Sequence, residues 1–394
     1  MSSSVHINPE AGQWRWPDVN TSPTALLPLD GEAKVLAFHK QLPSYDRTPL
    51  HSLQSVANEL ALGHVLVKDE SSRFGLPSFK ILGASWAVYR AVAEKLGHAT
   101  GSDGMRLSAL GAEARSKGLK LVTCTEGNWG RAVARMAKYL DIPAVIYVPF
   151  NMLETARDLI RGEGAELLAV DGNYDDAVGA AKRRAEGTDN GRAAAVLVMD
   201  ISWEGYETVP QYVVEGYQSM LDEADDQVFE ATGGKYATHA IVPVGCGSIA
   251  QAVTQHFKGS WREKKGVPRA AVMAVEPTTA ACLRTSVESG EMTTVATGDT
   301  IMCGMNCGTL STTAWPVLRR GVDASVVVSD GQSHRAVQEL ETYGIEAGPC
   351  GAATLAALRS ACEDESVRKA LGLDAASVVV LCCTEGRREY DAPS

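Results

Sequence analysis

A chain of 394 residues exceeds one ordinary domain and is long enough to bury two cores, on a prior of ~100–200 residues per domain. With 45% hydrophobic and 22% charged residues it falls outside the collagen-like, coiled-coil and disordered classes. Its 37 basic against 48 acidic residues leave a formal charge of −11, the wrong sign for gripping a phosphate backbone, so nucleic acid is not expected as a partner.

The first stretch, "MSSSVHINPEAGQWRWPDVN", has no basic segment followed by an apolar core, unlike a secretory signal. No later stretch approaches the ~18 uninterrupted apolar residues of a membrane span. A cytoplasmic protein with no membrane partner is expected. Nine cysteines is an odd count without C-x-x-C, and Cys382 and Cys383 are adjacent, so free thiols are expected rather than a disulfide framework. Cys303 and Cys307 have no histidine pair near them in sequence, and no metal site is expected.

The first strong element is "PSFKILGASW", where Lys80 precedes Leu82, Trp86, Tyr89, Ala93 and Leu96. These recur every three or four residues and predict an amphipathic helix with the lysine near its beginning. Residues 98–118 are polar and glycine-rich, a surface excursion with a short helix. From about residue 120 one unit recurs: a short β-branched run, a Gly or Pro break, then a helical segment. The runs are "KLVTCTEG", "PAVIYVP", "AELLAVDG", "AAVLVMD", "HAIVPVGCG", "AAVMAVEP" and "SVVVLCCTEG". Nearly all apolar and unalternating, they predict parallel strands covered on both faces, hence an α/β, doubly wound architecture. Val133, Met136, Ala137 and Leu140 mark the apolar face of one intervening helix. The tail "GRREYDAPS" reads as a solvated end.

A lysine at a helix start adds a cation to an end that already carries partial positive charge, so something has to offset it. It is either a surface lysine whose stem lies along Phe79 or a Schiff-base lysine neutralised or paired by a bound group. Pyridoxal phosphate needs further parts. "VPVGCGSIAQAV" offers a phosphate cradle, since Gly245, Cys246, Gly247 and Ser248 join a buried strand to a helix N-terminus. A dinucleotide fingerprint is the competing interpretation, but Ala250 occupies its third glycine position; a plain strand–helix turn remains open. "TCTEGNWGRAVARMA" places Thr125, Gly127, Asn128 and Gly130 at a strand's carboxyl end, as a ligand loop or as a capped helix start. In "LCCTEGRRE" the Thr384 hydroxyl is available to a pyridine nitrogen. Asp200 closes an apolar strand, where a carboxylate serves a cation, a proton or the cap of the next helix.

With these parts the sequence resembles the fold-type II family of pyridoxal phosphate enzymes, and within it the diaminopropionate ammonia-lyases. The resemblance runs over about residues 38–386, through "FHKQLPSYDRTPLHSL", "VLVKDESSRFGLPSFKILGASWAV", "TEGNWGRAVA", "NYDDAV", "WEGYETVPQYVVEGY", "VGCGSIAQAV", "TIMCGMNCG", "EAGPCGAATLAAL" and "LCCTEG". It implies a tryptophan synthase β-like fold of two doubly wound parallel-sheet domains with the cofactor cleft between them. The larger, cofactor-binding domain would span 1–65 and 190–394, and the smaller, substrate-side domain 66–189 with Lys80 and the TEGNWG loop. The resemblance makes Lys80 the Schiff-base lysine and Asn128 the partner of the cofactor's ring hydroxyl. Gly245, Cys246, Gly247 and Ser248 hold the phosphate, Phe79 flanks the cofactor, and Thr384, with Cys383 as the alternative, faces the ring nitrogen. It makes Lys80, Glu126 and Asp200 the catalytic residues, and Ser78, Thr125, Glu126, Gly127, Trp129 and Asp200 the substrate contacts.

The implied reaction is α,β-elimination from a small β-substituted amino acid, foremost 2,3-diaminopropionate to pyruvate and ammonia, by a homodimer. Two departures bear on the substrate. The family's T-D-G-N-H-G loop carries Glu126 and Trp129 here, and its A-C-G-E-P-N-P segment reads "NCGTLSTT", without the acid. They keep open a dehydratase or β-replacement enzyme acting on a hydroxy or bulkier β-substituted amino acid, and, more remotely, a non-catalytic metabolite-binding protein.

Overall fold

The computed structural model describes residues 4–14, 32–98, 105–150, 152–172, 174–187 and 195–393. Its strands are β1 Val5–Ile7, β2 Leu50–Ser52, β3 His64–Asp69, β4 Lys120–Cys124, β5 Ala144–Pro149, β6 Glu166–Val170, β7 Ala195–Leu197, β8 His239–Pro243, β9 Ala271–Pro277, β10 Ala324–Val328 and β11 Val378–Cys383. They form a seven-stranded and a four-stranded sheet in two compact units. One unit takes the described part of Met1–Pro28 with Asp46–Phe79 and Tyr217–Ser394, the other Leu29–Tyr45 with Lys80–Gly216.

In the larger unit the strand order is β1-β10-β9-β8-β11-β3-β2. The inner strands pair in parallel, and only the two three-residue edge strands, β1 and β2, run antiparallel. Val65, Val67, Ile241, Met273, Val275, Val379 and Leu381 turn one face of this sheet into a core with Leu355 and Leu358 of the Pro349–Glu363 helix. All seven apolar runs noted in the sequence became strands; β10, equally apolar, and β3, whose Val65–Val67 run ends in Lys68 and Asp69, join them. The tail is not simply solvated. Gly386 bridges to Ala347, and the Tyr390 hydroxyl meets His334 Nδ1 at 2.9 Å.

The segment leading from β3 to Phe79 is fixed by buried charge. Arg73, fully buried, donates to Glu70 at 2.7 Å and to Glu223 at 2.7 and 3.0 Å; Lys68 donates to Glu223 at 2.9 Å; Thr48 donates to Glu70 at 2.6 Å. Two cations face two carboxylates, so the group is neutral as a whole, and its hydrogen bonds offset the desolvation that isolated charges would suffer. The motif "VLVKDESSRFG" therefore carries scaffold residues ahead of the lysine. Phe74 and Gly75 follow with φ of 52° and 69°, a left-handed turn that swings the chain toward Ser78 and Phe79.

In the smaller unit the order is β6-β5-β4-β7, all parallel. The Lys80–Lys95 helix is buried on nearly every side, Ile81 to Tyr89 without interruption, rather than amphipathic as its spacing suggested. It packs against the Glu32–His39, Leu107–Ser116, Asn128–Leu140 and Thr208–Gly216 helices. The last crosses so closely that a Cβ on Gly216 would lie 2.5 Å from the Leu82 carbonyl oxygen. The expected face of Val133, Met136, Ala137 and Leu140 is buried. The excursion holds a helix at Leu107–Ser116; its residues 99–104 lie outside the described ones. The units divide differently from the expected boundaries. Residues 66–79 go with the seven-stranded sheet because β3 pairs with β11 and β2, residues 195–216 go with Lys80 because β7 pairs with β4, and residues 32–45 leave the expected 1–65 segment because the Glu32–His39 helix packs on the Lys80–Lys95 and Thr208–Gly216 helices. Among the described residues no helix is long and apolar enough to cross a membrane, and all nine cysteines are free thiols.

Burial would raise the Glu223 carboxyl, but Arg73 and then Lys68 bring it down to about 2, against an ordinary 4.5. A depressed carboxylate stabilises the fold fully above its unfolded value, and that contribution, about 3 kcal/mol, is lost as the pH falls from 4.5 toward 2. Urea unfolding of Glu223→Gln at pH 7 is expected to show a loss of about 3–5 kcal/mol from stranding Arg73 and Lys68, and the variant should be less acid-dependent than the native chain below pH 4.5.

Candidate active site

A doubly wound sheet leaves a crevice at the carboxyl ends of two adjacent strands whose following connections run to opposite sides. In the smaller unit the chain goes from β4 outward to β5 and β6, then returns to place β7 on the other side of β4, so the switch lies between β4 and β7. The TEGNWG loop leaves β4 there, and Asp200 follows β7 there. In the larger unit the chain runs β8, β9, β10 and returns with β11 on the other side of β8. The 245–248 turn and Thr384 occupy that switch. Each unit thus gathers at its own switch point the residues that the sequence singled out.

Lys80 opens the Lys80–Lys95 helix, and its ammonium is hydrogen-bonded and ion-paired to the Asp200 carboxylate. The lysine side chain is 19% exposed and the aspartate 9%, so the pair is mostly shielded yet open at one end. The carboxylate is what offsets the cation at a positive helix end. Asp200 therefore serves a cation; it is not the cap of a helix. The Trp129 ring lies with its centroid 5.9 Å from Lys80 Nζ, within cation–π range.

The rest of the TEGNWG loop divides its labour. The Thr125 hydroxyl accepts the N–H of Gly127 at 2.9 Å and of Gly130 at 3.0 Å, tying down the start of the Asn128–Leu140 helix, so it does act as a cap. A Cβ on Gly130 would meet Thr125 Cγ2 at 2.3 Å, which is why the position is glycine. Glu126 is exposed and Asn128 half-buried on the same loop. Trp129 is 4% exposed and turned into the sheet, its N–H donating to Thr123 Oγ1 at 2.9 Å and to the Val198 carbonyl at 3.3 Å. It forms a wall beside Lys80, with its polar atom spent on the protein. Tyr206 is a residue the sequence did not single out. Its hydroxyl donates to the Leu197 carbonyl at 2.8 Å and accepts the Met199 N–H at 3.1 Å, and burial, then the nearby Asp200 charge, keeps the phenol neutral. Only its place six residues after Asp200, in the quoted "WEGY", could have pointed to it.

In the larger unit, Gly247 precedes the Ser248–Phe257 helix with φ of 96°, and no side chain caps that helix. The N–H groups of its first turn have no intrahelical partner by geometry and face out of the helix end, as an anion requires. A Cβ on Gly247 would lie 3.0 Å from Ala314 Cβ, and one on Gly245 3.0 Å from the Gly304 carbonyl oxygen. Behind the turn, Cys282 Sγ approaches the Gly245 carbonyl at 3.9 Å. Glu276 accepts the Leu283 and Arg284 N–H groups at 2.7 and 2.8 Å and is nonetheless pushed up to about 7 by burial. Thr384 is buried, and its carbonyl accepts the Phe79 N–H at 3.2 Å, while Ser78 bridges to Glu385. The Phe79 ring packs on Tyr217 at 4.8 Å between centroids. Cys383 Sγ points instead at the Pro349–Glu363 helix, where a Cβ on Gly351 would come within 2.7 Å of it. A lysine held at a helix start beside a carboxylate, and separately a glycine-shaped cradle at an uncapped helix, fit pyridoxal phosphate.

The sequence pattern of the family described as "Pyridoxal-phosphate dependent enzyme" matches residues 42–384. Diaminopropionate ammonia-lyase of Salmonella typhimurium is 36% identical over 385 residues, covering 93% of this chain and 92% of that protein. The crystal structure of diaminopropionate ammonia lyase from Escherichia coli in complex with D-serine superposes with a TM-score of 0.80 at 28% identity, covering 97% of this chain and 93% of that one. The structure of the same enzyme with an aminoacrylate-PLP azomethine reaction intermediate gives the same TM-score, identity and coverage.

Gly247→Ala adds a methyl at a left-handed position already in contact with Ala314 and Leu318. It is expected to weaken pyridoxal phosphate binding about ten-fold or more. Absorbance titration of the cofactor-free protein measures it, with an unchanged far-ultraviolet spectrum excluding misfolding.

Proposed function

The chain belongs to the pyridoxal-phosphate dependent enzymes, and on that premise we propose that it is an ammonia-lyase converting 2,3-diaminopropionate to pyruvate and ammonia. The observation behind this is the Lys80–Asp200 pair, an amine and a carboxylate in contact at the carboxyl end of a parallel sheet. Bound pyridoxal phosphate supplies an electron sink for the pair left on a substrate's α-carbon. Lys80 is its attachment point; Gly245, Cys246, Gly247 and Ser248 would hold its phosphate, Asn128 its ring hydroxyl and Thr384 its ring nitrogen, with Phe79 flanking. A hydroxyl at that nitrogen cannot protonate the ring as a carboxylate does, which favours elimination over transamination.

The chain's own groups then move the protons. The Lys80 amine takes the α-proton, and Asp200 or Glu126 keeps the β-nitrogen protonated as an ammonium, so that it takes the C–N bonding pair and leaves as ammonia. Either carboxylate taking the α-proton from the opposite face admits the D-enantiomer. Glu126 and Asp200 follow adjacent strands, β4 and β7, and attract a substrate with a second ammonium at its β-carbon. Ser78, Thr125, Gly127 and Trp129 complete the substrate side, Thr125 by shaping the loop and Trp129 as an apolar wall. Addition of one water yields one pyruvate and two ammonia molecules. The larger unit takes the cofactor-binding role and the smaller the substrate role. A homodimer acting on a free amino acid in the cytoplasm is part of this proposal.

A hydroxy or bulkier β-substituted amino acid is the second reading, favoured by Trp129 in place of a histidine and by the acid missing from "NCGTLSTT". With 2,3-diaminopropionate, cofactor-loaded protein is expected to release two ammonia molecules per pyruvate, and Lys80→Ala to lose turnover by about a thousand-fold or more. Turnover of serine with one ammonia per pyruvate, and none of the diamine, would overturn the substrate assignment.

A further inference from the structure

Among the described residues β7 is three long and lies at the edge of its sheet, which is poor support for the residue that follows it. Its register with β4 ends at the Val122–Leu197 pair, and the backbone continues only with Val198 N–H to the Val122 carbonyl at 2.9 Å. Asp200 comes two residues later, yet it sits against Lys80.

Side chains extend the support on both edges. Along a strand, successive N–H and C=O groups face opposite edges, so residue 198 faces β4 while residues 197 and 199 face away from it. On the inner edge, the Trp129 N–H takes the Val198 carbonyl at 3.3 Å while anchored to Thr123 Oγ1 at 2.9 Å. On the outer edge, the Tyr206 hydroxyl takes the Leu197 carbonyl at 2.8 Å and the Met199 N–H at 3.1 Å, doing for that edge what a further strand would do. Tyr206 is held in turn by Trp203, stacked at 4.4 Å, and Lys182 caps the Trp203 ring at 3.5 Å. We propose that Trp129 and Tyr206 are positioning residues that clamp the exit of β7 from its two edges and so hold the Asp200 carboxylate at Lys80.

This rests on Asp200 handling a proton in the reaction above, and the test separates the two. Tyr206→Phe keeps the ring and removes one O–H; Trp129→Phe keeps an aromatic side chain but removes the N–H together with the five-membered part of the indole. In the cofactor-loaded enzyme each is expected to lower kcat about three-fold or more, and Tyr206→Phe, which touches no part of the substrate side, to leave KM within about two-fold. The double variant should lose more than the product of the two, because each edge alone still restrains the segment. In an Asp200→Asn background the same changes should alter kcat less than about two-fold, since the group they position is gone. Hydrogen exchange read by mass spectrometry over residues 195–202 should quicken about ten-fold in Tyr206→Phe, where the Met199 N–H loses its acceptor. Equal kcat losses in both backgrounds, or unchanged exchange, overturn the clamp. An Asp200→Asn enzyme with native kcat overturns the role of Asp200 itself, and the exchange data then tell that failure from failure of the clamp. Tyr206→Phe, the milder change, keeps the test decisive if Trp129→Phe does not fold.

Discussion

A parallel sheet covered by helices on both faces has almost nowhere to show a polar group to a ligand. Its strands are mostly apolar, the polar groups they do carry are spent on neighbouring protein groups, and its helices bury their inner sides. What is left is the row of loops at the carboxyl ends of the strands, and these part company only where the winding changes direction. The β4/β7 and β8/β11 boundaries are the places where such a gap opens in the two sheets. Lys80's partner Asp200 and the TEGNWG loop sit at one, the glycine turn and Thr384 at the other. Winding order, set by which apolar run pairs with which, decides where chemistry can occur at all.

Within that frame, charge is handled in two contrasting ways. Around Arg73 the cations and carboxylates are shut away and satisfied by several hydrogen bonds each, an arrangement that fixes a backbone path and offers nothing to a substrate. At Lys80 one cation meets one carboxylate with one side still accessible. A closed network has every partner already inside; a pair with one open side leaves either member able to exchange its partner for another group. The first lies a few residues upstream of the second in the sequence and sets the course of the chain from β3 to Phe79.

The loop after β4 shows how one short segment supports several demands. Thr125 spends its hydroxyl on two backbone N–H groups, Gly130 gives it room, Glu126 stays exposed, and Trp129 folds back into the sheet beside Lys80. An indole at that position reaches the Val198 carbonyl across the strand gap, so Trp129 bears on the strand that leads to Asp200 as well as on the surroundings of Lys80.

From its residues alone the chain determined a good deal: seven apolar, unalternating runs that became strands, a lysine at a helix start, a glycine turn ahead of another helix, and motifs in family order. These are local properties, written in composition and spacing, and they survive without knowledge of any partner. Three things were not legible. That the Lys80 helix is enclosed rather than half-exposed depends on four other helices closing around it. That residues 66–79 fold with one sheet and 195–216 with the other depends on the pairing of β3 and β7, strands whose neighbours come from hundreds of residues away in one case and about seventy in the other. That Asp200 meets Lys80, and that Tyr206 and Trp129 flank the strand before it, depends on the direction of side chains across a sheet edge. Only the tertiary structure decides such matters, because a hydrogen bond or ion pair between distant residues is set by distance and angle in space, and spacing along a chain carries no record of either.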